Sequence, residues 1–125
     1  MSAWFGSLGA VLGLLGVGLG AFGAHGLQGR LNPADLATFE TAVRYQMYHA
    51  LALLLVALLL ARNPGGAATF AGWAFLGGAL VFSGSLYMMI LTDQRWLGAV
   101  TPLGGVAFLV GWGVLAWSFL QNRGG

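Results

Sequence analysis

The sequence predicts an all-α membrane protein, a four-helix transmembrane bundle with packing seams of glycine and other small residues. Hydrophobic residues make up 58% of the chain and charged residues only 6%, whereas about a quarter of the residues in soluble domains are charged. Four apolar segments of about 20 residues are each long enough to cross a hydrocarbon core of about 30 Å. They cover about residues 3–24, 43–61, 67–91 and 102–120. The 125 residues are expected to form a single integral membrane domain, 1–125.

The first apolar segment carries glycines at alternating spacings of three and four residues. On a helix this spacing places them along one side, as in a glycine zipper. Each glycine costs a helix in water about 0.5–1 kcal/mol relative to alanine, so the pattern favours lipid, where unpaired backbone groups cost more. Because Met1–Phe5 has no basic side chain, we expect a retained transmembrane helix rather than a signal peptide. The expected packing positions are Gly6, Gly9, Gly13, Gly16, Gly20 and Gly23.

The second helix has a well-defined predicted start. Asn32 is a typical cap, Pro33 suits the first helical position, and Asp35 lies where the helix dipole favours an anion. No helix breaker follows until after Arg62, so this helix is longer than the hydrocarbon is thick. Its first turns, about residues 33–42, are therefore expected at the membrane interface.

Small residues also line the third helix. Ala71, Ala74 and Gly78 repeat the spacing of three and four, so we expect the first and third helices to pack closely through their small-residue seams. Gly26 is expected to end the first helix in a left-handed conformation. Thr101, followed by a proline, is expected to cap the fourth.

The composition excludes several classes of function. The chain has no cysteine, which excludes disulfides, thiolate catalysis and cysteine-ligated metal sites. A formal net charge of +2, carried by scattered arginines, is not the footprint of a nucleic-acid-binding protein. No catalytic triad, carboxylate pair or phosphate loop is recognisable, so no catalytic residue and no metal site are predicted. Arg62 and Arg123 mark one membrane side against Arg30, Arg44 and Arg95 on the other, a bias too small to fix the orientation.

Four spans bring most polar residues to one membrane face. The ends of the first and third helices meet the starts of the second and fourth helices there. We expect a polar pocket at this face as the candidate ligand-binding site. Its predicted members are His25, Arg44, Tyr45, Gln46, Tyr48, His49, Ser83, Ser85, Tyr87 and Thr101.

The charged residues near this face also have structural interpretations. Glu40 and Arg44 are four residues apart in the favourable order, which predicts an ion pair along one helix. Asp93 and Arg95 are expected to neutralise each other in a solvated turn. Both pairs therefore predict stabilisation of the fold rather than chemistry.

The tyrosines and histidines leave two interpretations open. The three tyrosines suit the aromatic belt, with their hydroxyl groups among the lipid headgroups. His49 lies inside an apolar run, where an ionisable group marks a candidate functional site, but a hydrogen bond across helices to Ser83 or Ser85 is the favoured interpretation. His25 and His49 together are an alternative ligand pair for a haem. Otherwise no cofactor is predicted.

Four motifs resemble those of a known family. They are Gly20–Leu27 (GAFGAHGL), Thr41–Leu51 (TAVRYQMYHAL), Phe82–Tyr87 (FSGSLY) and Leu97–Gly105 (LGAVTPLGG). In this order they resemble the YgdD-like family of domains of unknown function, small bacterial inner-membrane proteins that are similar to the animal transmembrane protein 256. The resemblance implies a four-helix integral membrane protein and no established activity.

These observations favour a small interaction or accessory protein in a bacterial cytoplasmic (inner) membrane. Its expected partners are the lipid bilayer, another membrane protein or further copies of the same chain. One alternative is a binder or enzyme that acts on a membrane-soluble ligand such as haem, a quinone or a lipid. A small channel or transporter is the second alternative, which the scarcity of ionisable groups at mid-membrane disfavours.

Overall fold

A computed structural model describes residues 1–121, and these residues form four long helices. Each of the four is long and apolar enough to cross a membrane. The fold class predicted from the sequence is thereby confirmed. Arg123, one of the arginines that mark the membrane sides, lies outside the described residues. The helices are α1 (Ser2–His25), α2 (Pro33–Arg62), α3 (Gly66–Thr92) and α4 (Thr101–Gln121), with a short 3-10 helix, Arg95–Ala99, before α4.

Local signals explain some of the helix ends. The Asn32 side chain accepts a hydrogen bond from the backbone N–H of Asp35 at 2.8 Å, so the predicted start of α2 is confirmed. The left-handed conformation predicted at Gly26 is wrong, because this residue has a right-handed φ of −90°. The positive φ in this loop belongs to Gly29, at 81°. Asp93 ends α3 with a φ of 55°.

The two central helices are α2 and α3, which pack against each other. α1 lies mainly against α2, and α4 lies mainly against α3. On α3, Gly72 faces the Phe5 ring of α1, whereas Gly78 faces Phe108 of α4, so the outer helices lie on opposite sides of the central pair. Leu53, Val56, Phe75 and Phe5 fill the centre with no exposed surface.

The predicted close packing of α1 on α3 is wrong, although the α1 glycines do form a packing seam. Their partner is α2. A Cβ atom at Gly9 would lie 2.9 Å from the carbonyl oxygen of Ala50, and one at Gly23 would lie 2.6 Å from the Phe39 ring. Gly16 likewise meets the Met47 side chain. The nearest neighbours of Gly6, Gly13 and Gly20 are Ala57, Ala50 and Val43, all on α2.

The small residues of α3 instead approach α4. A Cβ atom at Gly104 would lie 2.5 Å from the backbone nitrogen of Phe82 and 2.8 Å from the carbonyl oxygen of Gly78. Ala74 meets Gly111 in the same way, whereas Ala71 lies in the central core. Glycine on both helices therefore brings the α3 and α4 backbones into direct contact.

The helix lengths locate the edge of the hydrocarbon. α4 has 21 residues, or about 31 Å at 1.5 Å per residue, which matches a hydrocarbon core of about 30 Å. Its first residue, Thr101, lies 2.5 Å from the hydroxyl of Ser85, and Ser83 of α3 bonds the carbonyl of Ala42 on α2. We therefore place the hydrocarbon edge near Thr101, Ser85 and Ala42. The region beyond this level, which we call the cap, comprises residues 26–41 and 86–100.

Candidate functional site

The structure separates the ten predicted pocket residues into four sets. Gln46, Tyr87 and Ser83 lie between α2 and α3 and face α1. Tyr45 and His49 face α4 across the other side of the central pair, while Ser85 bonds Thr101 at the start of α4. The remaining three side chains are exposed at separate positions. They are His25, Arg44 and Tyr48.

Gln46 links three helices through two hydrogen bonds. Its Nε2 donates to the backbone carbonyl of Leu12 on α1 at 2.9 Å, and its Oε1 accepts from the Tyr87 hydroxyl of α3 at 2.6 Å. The Gln46 side chain is only 4% exposed, so these bonds satisfy an amide that would otherwise be costly to bury. The belt position predicted for Tyr87 is wrong, because its hydroxyl points inward to this amide.

A groove runs between α1 and α3 above this amide. α1 packs mainly on α2, whereas α3 packs on both α2 and α4, so the facing surfaces of α1 and α3 separate and leave two cavities of about 280 Å³ and 370 Å³. Both cavities are lined by Leu19 and Tyr87, so they meet at the Tyr87 side chain. The smaller cavity extends toward mid-membrane, and the larger one reaches into the cap. Their other linings are apolar apart from Gln46 and Ser83: Leu12, Leu15, Ala79, Leu80 and Gly84 in one, Phe22, Leu27, Leu31, Phe39, Ile90 and Leu91 in the other.

His49 lies in an aromatic cluster between α2 and α4. Its ring stacks on Phe108, with a centroid separation of 3.5 Å. Nδ1 lies 2.7 Å from the carbonyl oxygen of Tyr45, and Nε2 accepts from the indole N–H of Trp112 at 3.1 Å. The neutral ring with the proton on Nδ1 satisfies both contacts. The predicted bond to Ser83 or Ser85 is therefore wrong, and the cross-helix partner is a tryptophan.

The two histidines do not lie at one level. Gly23, two residues before His25, faces Phe39 on α2. Phe39 and His49 are ten residues apart in the sequence, or about 15 Å along the helix. His25 is exposed while His49 is buried with both ring nitrogens engaged, so this geometry gives no support to a shared haem iron. Within residues 1–121, no group of three or more histidine, aspartate or glutamate side chains forms a metal site.

The charged residues pair differently from the prediction. Glu40 and Arg44 are both exposed, and in the described part of the chain neither lies within ion-pair distance of an opposite charge. The predicted ion pair between them is therefore wrong. The Asp93–Arg95 pair is confirmed, at 2.6 Å.

Arg95 also reaches Asp35, a contact that was not predicted. The two guanidinium nitrogens donate to the two carboxylate oxygens at 2.8 Å and 3.0 Å, the bidentate geometry typical of strong arginine–carboxylate pairs. The Asp35 side chain is 14% exposed beneath Arg95. Since Asp35 starts α2 and Arg95 follows α3, this pair ties the two halves of the cap together.

Replacing Arg95 by glutamine is expected to loosen the cap without unfolding the bundle. The neutral amide cannot bridge Asp35 and Asp93, so the connection between α3 and α4 opens more often. Limited proteolysis should then cut within residues 93–100 several-fold faster than in the wild type. Arg30→Gln is the control, because Arg30 is also exposed in the cap and makes no ion pair within the described residues. Equal cleavage rates in both variants would contradict this role of Arg95.

Residues 19–105 match the family model described as "Protein of unknown function (DUF423)", which is more than half of the sequence. The chain belongs to the DUF423 family. This agrees with the resemblance noted in the motifs, and no specific activity is established for the family. No solved structure matches this DUF423 chain.

Relatives of this DUF423 member are named as membrane proteins. UPF0382 membrane protein YwdK of Bacillus subtilis is 53% identical over 106 residues, covering 84% of this chain and 86% of the relative. UPF0382 membrane protein SERP0230 of Staphylococcus epidermidis is 46% identical over 117 residues, covering 94% and 95% of the two chains. UPF0382 membrane protein SAB0533 of Staphylococcus aureus is 47% identical over 105 residues, covering 84% and 85%. The family is therefore one of membrane proteins.

The DUF423 match includes the α2 and α3 residues of the groove and of the aromatic cluster around His49. Gln46 and Tyr87, at the floor of the groove between α1 and α3, lie inside it. Trp112, the partner of His49, lies outside residues 19–105. No sequence signal pointed to Trp112, because a tryptophan in an apolar helix is equally suited to a lipid-facing position.

Proposed function

We propose that this protein binds a membrane-soluble amphiphile in the groove between α1 and α3. The observation that carries the proposal is the junction of two apolar cavities at the Tyr87–Gln46 hydrogen bond. Ligand sites are commonly apolar cavities of about 300–1,000 Å³ in which a few polar groups orient the ligand. Here the two cavities supply the apolar walls, and Tyr87 with Gln46 supplies the polar groups.

The depth of the groove favours a ligand with one hydrocarbon chain and a compact head. Tyr87 lies just beyond Ser85, at the hydrocarbon edge. The smaller cavity below it reaches Leu12 and Ala79 and suits a chain that continues into the bilayer. The larger cavity above it is roofed by Leu27 and Leu31 of the cap and suits the head. Quinones and single-chain lipids share this chemistry.

The polar groups at the junction are suited to a ligand oxygen or hydroxyl. The Tyr87 hydroxyl donates its proton to Gln46, which leaves its oxygen free to accept a hydrogen bond from a ligand. The Gln46 amide uses one of its two N–H groups on Leu12. One acceptor and one donor at the floor of an apolar groove orient a ligand without binding a charge.

Neither a channel nor a one-sided polar pocket finds similar support. The centre between α2 and α3 is filled by side chains with no exposed surface, among them Leu53, Val56 and Phe75. The predicted pocket residues, moreover, divide between two sides of the central helix pair.

We propose the cytoplasmic membrane as the location of this protein. Helical membrane proteins and outer-membrane barrels differ in architecture, and relatives of this chain occur in Bacillus and Staphylococcus.

Filling the groove is expected to abolish binding without harming the fold. A Cβ atom at Gly84 meets nothing within 4 Å, and Gly84 lines the smaller cavity, so the side chain of Gly84→Leu occupies the groove. We expect binding of the probe to fall by about tenfold or more, as for an overfilled site. Gly77→Leu is the matched control, because Gly77 is also open and lies seven residues earlier on the same side of α3.

The measurement uses purified protein in nanodiscs with two uncharged probes, decylubiquinone and a monoacylglycerol. Native mass spectrometry and equilibrium titration report how much of each probe the wild type and both variants retain. Binding of the quinone alone would identify a quinone site, and binding of the monoacyl lipid alone would identify a lipid site. If neither probe binds, or if Gly77→Leu and Gly84→Leu reduce binding equally, the proposal is wrong.

A further inference from the structure

The outward face of α2 is uncovered although α2 is a central helix. Seven residues along this face are separated alternately by four and three positions. Helices pair through this repeat in coiled coils. Six of the seven are exposed, and Thr41 is half-buried. We call this surface the α2 outer face: Ala37, Thr41, Arg44, Tyr48, Leu51, Leu55 and Leu58.

Two exposed charged side chains lie near the N-terminal end of this face. Glu40, which flanks it, and Arg44 are exposed, and within residues 1–121 neither has an ion-pair partner. They lie on either side of Ala42, at the hydrocarbon edge. Glu40 lies in the cap, but Arg44 lies on the hydrocarbon side of Ala42, where an ionisable group normally has a partner. An opposite charge from outside the chain would supply that partner.

We propose that the α2 outer face pairs with the same face of a second copy of this chain. Under a two-fold axis, Glu40 of each copy faces Arg44 of the other, and one contact satisfies all four charges. Side chains on a helix tilt toward its N-terminus, so the Arg44 guanidinium rises toward the level of Glu40 on the neighbouring helix. Leu51, Leu55 and Leu58 continue the contact into the bilayer.

Glu40 favours a second copy of the chain over an anionic lipid as the partner of this face. An anionic headgroup would satisfy Arg44 but would repel Glu40, which lies one turn away. A second copy supplies an arginine for Glu40 and a glutamate for Arg44. This inference is independent of the groove proposed as the ligand site, because the two surfaces lie on different sides of α2.

Cross-linking tests the location of the contact. The chain has no cysteine, so one introduced cysteine gives an unambiguous disulfide. We expect Leu55→Cys, on the α2 outer face, to form oxidised dimers in membranes. Leu14→Cys on α1 and Leu109→Cys on α4 are controls, because these leucines are 72% and 74% exposed but lie on other helices. Equal cross-linking at all three positions, or none at Leu55→Cys, would overturn the proposal.

Charge reversal tests the partner. Arg44→Glu and Glu40→Arg each place like charges opposite one another, so each variant alone is expected to lose dimer by about tenfold or more in single-molecule photobleaching. Mixing the two variants recreates both opposite-charge contacts and should restore a mixed dimer. Unchanged thermal stability of each variant would show that the fold is intact.

The mixture separates a second copy from a lipid. If anionic headgroups hold Arg44, Arg44→Glu changes behaviour only in vesicles that contain phosphatidylglycerol, and mixing the variants restores nothing. Either result, or dimers that survive both charge reversals, would overturn the proposal. Loss of probe binding in Gly84→Leu with dimers intact would bear only on the ligand groove.

Discussion

Replacing Gly104 by alanine is expected to be among the most damaging single changes in the bundle. A Cβ atom at this position would lie 2.5 Å from the backbone nitrogen of Phe82 and 2.8 Å from the carbonyl oxygen of Gly78. Because backbone atoms cannot rotate away, α4 has to move off α3. Inserting even one methyl group into such a contact costs about 1–3 kcal/mol and occasionally more. The free energy of unfolding, measured in bicelles, should fall by at least this amount.

The neighbouring residue is the control for this substitution. A Cβ atom at Gly105 meets nothing within 4 Å, so Gly105→Ala gains helix propensity of up to about 1 kcal/mol without a clash. We therefore expect opposite signs for two glycine-to-alanine changes at adjacent positions. Similar losses of stability at both positions would mean that helix pairing does not depend on the close approach at Gly104.

Local signals in the sequence predicted the helices well. Asn32 and Pro33 fix the start of α2 through a side-chain cap and a preset backbone angle, and the structure uses both. The ends of the other helices follow runs of apolar residues whose length a bilayer imposes. These signals act within a few residues, so the sequence contains them in readable form.

The pairing of the helices could not be predicted in the same way. The glycines of α1 mark which side of that helix packs, but they do not identify what packs there. A helix side of bare backbone can pack against either another small-residue seam or a row of larger side chains. In this protein Phe39 and Met47 of α2 fill it, so the matching seam on α3 was left for α4.

The ion-pair and hydrogen-bond partners of the polar residues could not be predicted either. Topology correctly brought Asp35 and Arg95 to one end of the molecule, but a bidentate pair between residues 60 positions apart depends on the rotation of two helices. His49 shows the same dependence, since a small rotation of α2 decides whether its ring meets a serine or Trp112. Composition and spacing do not encode such rotations.

Removing the Gln46 side-chain amide is the second change with a large expected effect. Gln46→Leu deletes the acceptor of the Tyr87 hydroxyl and the donor to the Leu12 carbonyl, the two bonds that hold α1 and α3 to one point of α2. Leaving a buried polar group without its partner costs about 1–3 kcal/mol. We expect a loss of this size in the free energy of unfolding, and Thr38→Val, which removes only a bond within α2, should change it by less than about 0.5 kcal/mol.

The double variant decides whether this loss comes from the hydrogen bond. Tyr87→Phe alone leaves the Gln46 carbonyl oxygen without a donor, so it should also destabilise the protein. In Gln46→Leu/Tyr87→Phe both partners are apolar, and replacing a whole pair by groups of similar shape costs much less than breaking it. The double variant should therefore recover about 0.5–1.7 kcal/mol relative to the sum of the single variants, the range expected for polar contacts between membrane helices. Strict additivity would instead assign the loss at Gln46 to packing, and would remove the polar anchor from the floor of the ligand groove.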